Sequence, residues 1–278
     1  MLWIRPAVAL YNRTRHRQEA KTFAADRYSF NHKSSYQYLM EQTKSALQSL
    51  KLSGMATCWQ SLFETRQLDK LTLSDGLQLL LQAELDTRSS NRINRLLKNA
   101  AFPYPALVEE IDTDPTRGIE ASVLAQLATC DFVKQGLSVI ITGATGTGKS
   151  YIATALGDRA CRLGMSVAYF NMQRLLERID LERVQGHAIR FLDKLAKTDL
   201  LILDDFGMKK LQGQQQNDFE QLVDDRYRKK GLIISSQLPV ADWYDVIGNE
   251  LIAEATLDRL VHKSIRLQLK GESLRKKY

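Results

Sequence analysis

At 278 residues, with 44% hydrophobic and 26% charged side chains, the chain has the composition of an ordinary globular protein of one large domain or a core domain with a smaller companion. No apolar run approaches the roughly 18 residues that cross a bilayer, so a membrane role is excluded and a cytoplasmic setting expected. The formal charge of +7 fits a polyanionic partner, while three scattered cysteines without paired spacing (Cys58, Cys130, Cys161) fit a reducing compartment and offer no metal site.

Residues 1–35 carry seven of the Lys and Arg residues against only Glu19 and Asp26, and show no sustained apolar periodicity. They read as a basic, poorly ordered extension: a solvated tail, or a non-specific nucleic-acid contact. The opening residues Met1-Leu-Trp-Ile-Arg-Pro6 are interrupted too early for a secretory leader, and Met40 offers an alternative start.

Residues 36–102 read as a small all-helical domain. Leu47, Leu50, Met55 and Trp59 recur at helical spacing, and Leu77, Leu80, Leu81 and Leu85 form a second run behind the cap residues Thr72 to Asp75. A third run, Arg88 to Ala101, places Arg88, Arg92, Arg95 and Lys98 on one helix face. That face is either solvated or a stripe of DNA phosphate contacts. Phe102-Pro-Tyr-Pro105 ends the helical pattern.

From residue 103 onward, apolar runs alternate with longer helical ones. Strands are expected at Ser138–Thr142, Ser166–Asn171, Leu200–Asp204, Leu232–Ser236 and Ser264–Leu269, with helices closing at Gly164 and at Lys229-Lys230-Gly231. Fully apolar strands separated by helices predict a parallel sheet covered on both faces, an α/β domain over residues 103–278.

Two motifs give this domain its chemistry. Gly143-Ala144-Thr145-Gly146-Thr147-Gly148-Lys149-Ser150 follows the first strand and leads into a helix beginning near Tyr151. Strand, glycine loop, Gly-Lys-Ser and helix form a phosphate cradle: glycines let main-chain N–H groups face phosphate oxygens, and the helix N-terminus adds partial positive charge. Lys149 then reaches the β- and γ-phosphates, and Ser150 binds Mg²⁺. Leu200-Leu-Ile-Leu-Asp-Asp-Phe-Gly207 supplies the second motif, a buried strand with two acids at its carboxyl end. Asp204 is expected to hold Mg²⁺ and Asp205 to orient or deprotonate the attacking water. The lone histidines His187 and His262 lack partners at metal spacing, Trp59 and Trp243 read as packed, and 224–230 as a solvated helix end.

Residues 36–278 resemble the IstB-type insertion-sequence ATPases, AAA+ proteins close to the DnaC helicase loaders and DnaA initiators. The resemblance rests on Leu50–Ala56, Asn91–Lys98, Gly143–Ser150, Leu201–Gly207, Ile234–Pro239, Leu257–Leu260 and Arg266–Arg275, in that order. It implies a five-stranded AAA+ core without a C-terminal lid, ATP and Mg²⁺ as ligands, and an ATP-bridged homo-oligomer on double-stranded DNA that serves a cognate transposase. It also implies that Gln237 holds the attacking water beside the γ-phosphate, and that Arg259 is an arginine finger completing a neighbour's site. Without the resemblance, Gln237 is a strand-end amide and Arg259 an ion pair with Asp258 or Glu254. A DnaC-like helicase loader is the alternative function. A small-molecule P-loop kinase needs a lid and an acceptor site, and the sequence offers neither.

Overall fold

The computed structural model describes residues 37–274, so the basic extension expected over 1–35 lies outside the described residues. The chain divides into two compact units, one up to Asn91 and one from Arg92.

The first unit holds helix α1 (37–49), α2 (Ser53–Glu64) and most of α3 (Leu73–Ala100). The two periodic runs from Leu77 and from Arg88 join in α3, because no Gly or Pro separates them. Thr72 begins α3 as a cap: its hydroxyl accepts the Asp75 N–H at 3.2 Å and donates to the Asp75 carboxylate at 2.7 Å. Trp59 is packed, its indole N–H donating to the Met40 carbonyl at 3.2 Å. At Gly54, a Cβ would collide with the α3 backbone at Ala83 and Glu84. The approach lets the buried Glu84 carboxylate accept the N–H groups of Gly54 (2.8 Å) and Met55 (3.2 Å), two donors in the first turn of α2. Arg88 closes the cluster at 2.7 Å and, with those N–H groups, holds the Glu84 carboxyl below its ordinary pKa.

In the second unit α4 (Ala121–Ala128) and α5 (Asp131–Lys134) lead to β1 (Ser138–Gly143) and α6 (Lys149–Arg162). Next come β2 (Val167–Asn171), α7 (Met172–Val184), α8 (Ala188–Lys197), β3 (Leu200–Phe206) and α9 (Gln214–Arg226). The last elements are β4 (Gly231–Ser236), α10 (Trp243–Ile247), α11 (Glu250–Val261) and β5 (Ile265–Leu269). All five expected strands form. They pair in parallel in the order β2-β3-β4-β1-β5, so β1 and β3 flank β4 near the middle of the sheet.

Alternation along each strand sorts the core into two layers. Ile140, Leu201, Leu203, Leu232 and Ile234 face α7 to α11, packing on Leu175, Phe219 and Trp243. Val139, Ile141, Leu200, Ile202 and Ile233 face the other way, onto Leu127, Ile152 and Leu156. Each large aliphatic side chain so buried contributes about 1.5–3 kcal/mol against exposure.

The stretch 224–230 differs from a solvated helix end. Arg226 is 1% exposed, and its guanidinium donates to the carbonyls of Leu195 (2.6 Å), Asp199 (3.2 Å) and Gly231, tying α8 to the start of β3 and β4. Burial pulls its pKa down to about 10. Lys230 pairs with Asp199 at 2.6 Å. The charged run conceals Arg226 because its helix position aims inward while its neighbours face water. Cys130 and Cys161 are buried, and burial pushes their thiols up to about 11 and about 12 respectively; Cys58 lies half-buried on α2.

Candidate functional site

The glycine loop spans the gap between β1 and α6. Gly146 and Gly148 have φ of 82° and 97°, in the left-handed region where an L side chain is strained, and Gly148 is the N-cap of α6. Lys149 opens the helix, 5% exposed, with its ammonium donating to the carbonyls of Gly143 and Ala144 at 2.9 Å each. The loop therefore holds its own cation over the mouth of the cradle.

The second motif emerges beside it. Leu203 pairs with Ile234 but Phe206 with Ser236, so β3 carries one extra residue against β4. This β-bulge re-aims the chain at the two acids, and Asp205 takes φ 57°, strained for a non-glycine residue. Asp204 stays inside, 4% exposed, and is surrounded by hydroxyl donors. Ser150 donates to its Oδ1 at 3.0 Å, Ser235 donates to the same oxygen, and Tyr169 donates to Oδ2 at 2.5 Å. Burial, with the bond to Asp204, pushes the Tyr169 phenol above its ordinary pKa, so it remains a donor. The Asn171 amide donates to Asp205 at 3.2 Å, and the Asp205 N–H donates to Ser235 Oγ at 3.2 Å.

The glycine loop, Ser150 and Asp205 open on a cavity of about 640 Å³, within the usual range for a small-ligand site. Thr145, Gly146, Gly148, Lys149, Ser150 and Tyr151 line it together with Asp205 and Gln237. Gln237 joins the loop directly, accepting from the Thr145 hydroxyl at 2.7 Å. Tyr151 stacks on Tyr104, ring centroids 6.3 Å apart at 17°, and donates to Glu110. Burial and that carboxylate raise the Tyr151 phenol above its ordinary pKa.

The structure thus assembles the glycine loop, Lys149, Ser150, Asp204, Asp205 and Gln237 in one place. Arg259 does not line this cavity. It sits on α11, bound to Asp224 of α9 at 2.8 Å and to the Ala255 carbonyl at 3.0 Å, so its ion pair is with neither Asp258 nor Glu254. Arg88, Arg92, Arg95 and Lys98 are exposed along α3; Arg88 is engaged by Glu84, and Arg92 donates to the Gly164 carbonyl beyond α6 at 3.1 Å.

Sequence reasoning missed Tyr169, Asn171, Tyr104 and Arg117, the last of which also lines the cavity. The first two carried a signal: polar groups two apart at the carboxyl end of an otherwise apolar strand, beside the acids of the next one. Tyr104 and Arg117 carried none, since both lie in the irregular segment between α3 and α4.

The residues fit a magnesium nucleotide. Among the described residues no three His, Cys, Asp or Glu side chains cluster as a metal site. Mg²⁺ in nucleotide enzymes needs none: one or two protein oxygens and the phosphates hold it. Ser150 Oγ and Asp204 Oδ1 present such a pair beside a cationic cradle. No helix among the described residues is long and apolar enough to cross a membrane.

Comparison with known proteins agrees with this geometry. A family model described as "IstB-like ATP binding protein" matches residues 45–278. The insertion sequence ATP-binding protein y4pL of Sinorhizobium fredii (strain NBRC 101917 / NGR234) is 36% identical over 238 residues, covering 86% of this chain and 97% of that protein. The insertion sequence IS21 ATP-binding protein of Pseudomonas aeruginosa is 32% identical over 238 residues, covering 86% and 90%. Among solved structures, AMPPCP-bound DnaA from Aquifex aeolicus superposes with a TM-score of 0.52 at 18% identity, covering 63% of this chain and 53% of that one. DnaI superposes at 0.51 and 15% identity, covering 64% and 94%. These structural likenesses concern the fold, which is the α/β AAA+ type.

Proposed function

The chain belongs to the family of IstB-like ATP-binding proteins, and from that membership we propose that it is an ATP-hydrolysing, DNA-binding oligomer that assists a separate transposase during insertion-sequence transposition. The observation that carries the proposal is the convergence of Ser150 and Asp204 at 3.0 Å beside the glycine loop, with Asp205 re-aimed by the bulge into the same cavity.

Bound ATP with Mg²⁺ supplies the transferable phosphoryl group and the charge that the site neutralises. Lys149 exchanges its two carbonyl contacts for phosphate oxygens. Ser150 and Asp204 would hold Mg²⁺ through their side-chain oxygens, with Tyr169 and Ser235 keeping the Asp204 carboxylate from rotating away. Asp205, steadied by Asn171, accepts the proton of the attacking water, and Gln237 orients that water. Arg259 leaves Asp224 to complete the site of an adjoining subunit, which makes turnover depend on assembly. The exposed Arg95 and Lys98, with Arg88 and Arg92, track the phosphates of a duplex.

Sizing of the protein with duplex DNA in ATP, in ADP and without nucleotide tests the whole reading: ATP-dependent, DNA-bound assemblies are expected, and a nucleotide-independent monomer overturns it. Lys149→Ala abolishes nucleotide binding by calorimetry, whereas Asp205→Asn binds ATP and releases phosphate at least about 100-fold more slowly. Stimulation of a cognate transposase, rather than loading of a hexameric helicase, separates this reading from a loader.

A further inference from the structure

The glycine loop is gripped by two segments that neither motif contains. Arg117, in the 3-10 turn Pro115–Arg117, donates from Nη2 to the Thr147 carbonyl at 2.9 Å, and its other terminal nitrogen meets Asp112 at 3.2 Å. Beyond β5 the chain turns back on the loop, and the Leu274 N–H donates to the Gly146 carbonyl at 3.0 Å. A Cβ at Gly146 would collide with the Ser273 side chain, so the loop and the returning segment are in close contact. The two grips are themselves joined: the Lys270 N–H donates to the Arg117 carbonyl at 2.9 Å, and Gly118, with φ 76°, lies so close to Gln268 that a Cβ would strike its carbonyl.

We propose that Arg117 and residues 273–274 form a clamp that sets the phosphate loop in its binding conformation, with Arg117 as a positioning residue. The physical basis is the planarity of the peptide: a carbonyl and the N–H of the following residue point to opposite sides. Pulling the Thr147 carbonyl onto the guanidinium sends the Gly148 N–H the other way, into the cradle. Pulling the Gly146 carbonyl onto Leu274 turns the Thr147 N–H inward, where it closes the loop on the Ala144 carbonyl at 3.4 Å. A loop of small residues with three glycines has many competing conformations. A ligand that binds one of them loses affinity in proportion to the fraction of time the others are occupied, and the clamp removes that loss. Arg117 and Leu274 also line the cavity; the Arg117 guanidinium is taken up by the Thr147 carbonyl on one side and Asp112 on the other, and through the first of these it acts on the loop.

The clamp rests on the nucleotide reading above, and its test separates the two. Fluorescent ADP and a fluorescent non-hydrolysable ATP analogue, each with Mg²⁺, are titrated into the full-length protein. Arg117→Ala weakens both by one common factor of about tenfold, the cost of one charge-assisted hydrogen bond. In turnover, the loss falls on KM more than on kcat. Leu274→Pro, which removes the N–H donor along with the leucine side chain, weakens both by about fivefold relative to Leu274→Ala, which loses the same side chain but keeps the donor. The Leu274 pair decides the matter if Arg117→Ala fails to fold. Unchanged affinity in Arg117→Ala and Leu274→Pro overturns the clamp, and so does a loss confined to the ATP analogue, which marks direct contact with the γ-phosphate. If Lys149→Ala binds as the parent does, the nucleotide site itself is refuted.

Discussion

Asp204 shows how much a single buried carboxylate depends on its neighbours. Three hydroxyls converge on it, from Ser150, Ser235 and Tyr169; Ser150 belongs to the glycine loop and Ser235 to the Ile234–Pro239 stretch, but Tyr169 to no motif. Tyr169→Phe keeps the ring packed and deletes one donor. It raises the Mg²⁺ concentration needed for half-maximal nucleotide binding by about tenfold, read in a Mg²⁺ titration at fixed ATP analogue. An unchanged midpoint leaves Tyr169 a packing residue. At this scale the sequence was legible where chemistry repeats in a fixed spacing: Gly143 to Ser150 and Asp204-Asp205 announce themselves. It was opaque where a residue acts through a neighbour distant in the chain, as Tyr169 and Arg117 do, because nothing local in an apolar strand or a short turn records the contact.

Among elements, the strands could be read from the sequence because β1 to β4 are predominantly apolar runs long enough to cross the sheet, while β5 alternates apolar and polar residues as an edge strand does. The bulge in β3 was not legible, since Leu-Asp-Asp-Phe alternates like any strand end and the extra residue exists only relative to β4. In the helical unit the Leu50–Ala56 stretch has a physical role. Gly54 permits contact between α2 and α3, and Glu84 then caps the first turn of α2. The Glu84 carboxyl is held below its ordinary value of 4.5, so the ionised form is the one favoured by folding. Its stabilising contribution is complete above that value and lost as pH falls through the lower, folded value. Glu84→Gln therefore lowers the melting temperature at pH 7, and the gap from the parent closes below about pH 4 in thermal melts followed by circular dichroism. A gap that persists in acid assigns the effect to shape instead of charge.

For the molecule as a whole, the resemblance carried by the ordered stretches from Leu50–Ala56 to Arg266–Arg275 pointed to the right family. Charge alone was less telling. Of the four cations expected to meet DNA, Arg88 is committed to Glu84 and Arg92 to the Gly164 carbonyl, so substituting either disturbs structure as well as charge. Arg95 is the cleaner probe. Arg95→Ala weakens duplex binding and reduces the slope of log K against log salt by about 0.9. An identical slope makes Arg95 ordinary surface.

The cysteines have a practical consequence. Cys130 and Cys161 sit in the core with thiols that ionise only near 11 and 12, so at neutral pH neither offers an appreciable thiolate to an alkylating dye. Cys58 alone is within reach of reagent, and it lies on α2 in the helical unit. The unmodified chain therefore comes supplied with a single attachment point for a fluorophore, on the unit opposite in sequence to the phosphate loop. The helical unit can be labelled and observed without first stripping thiols from the core.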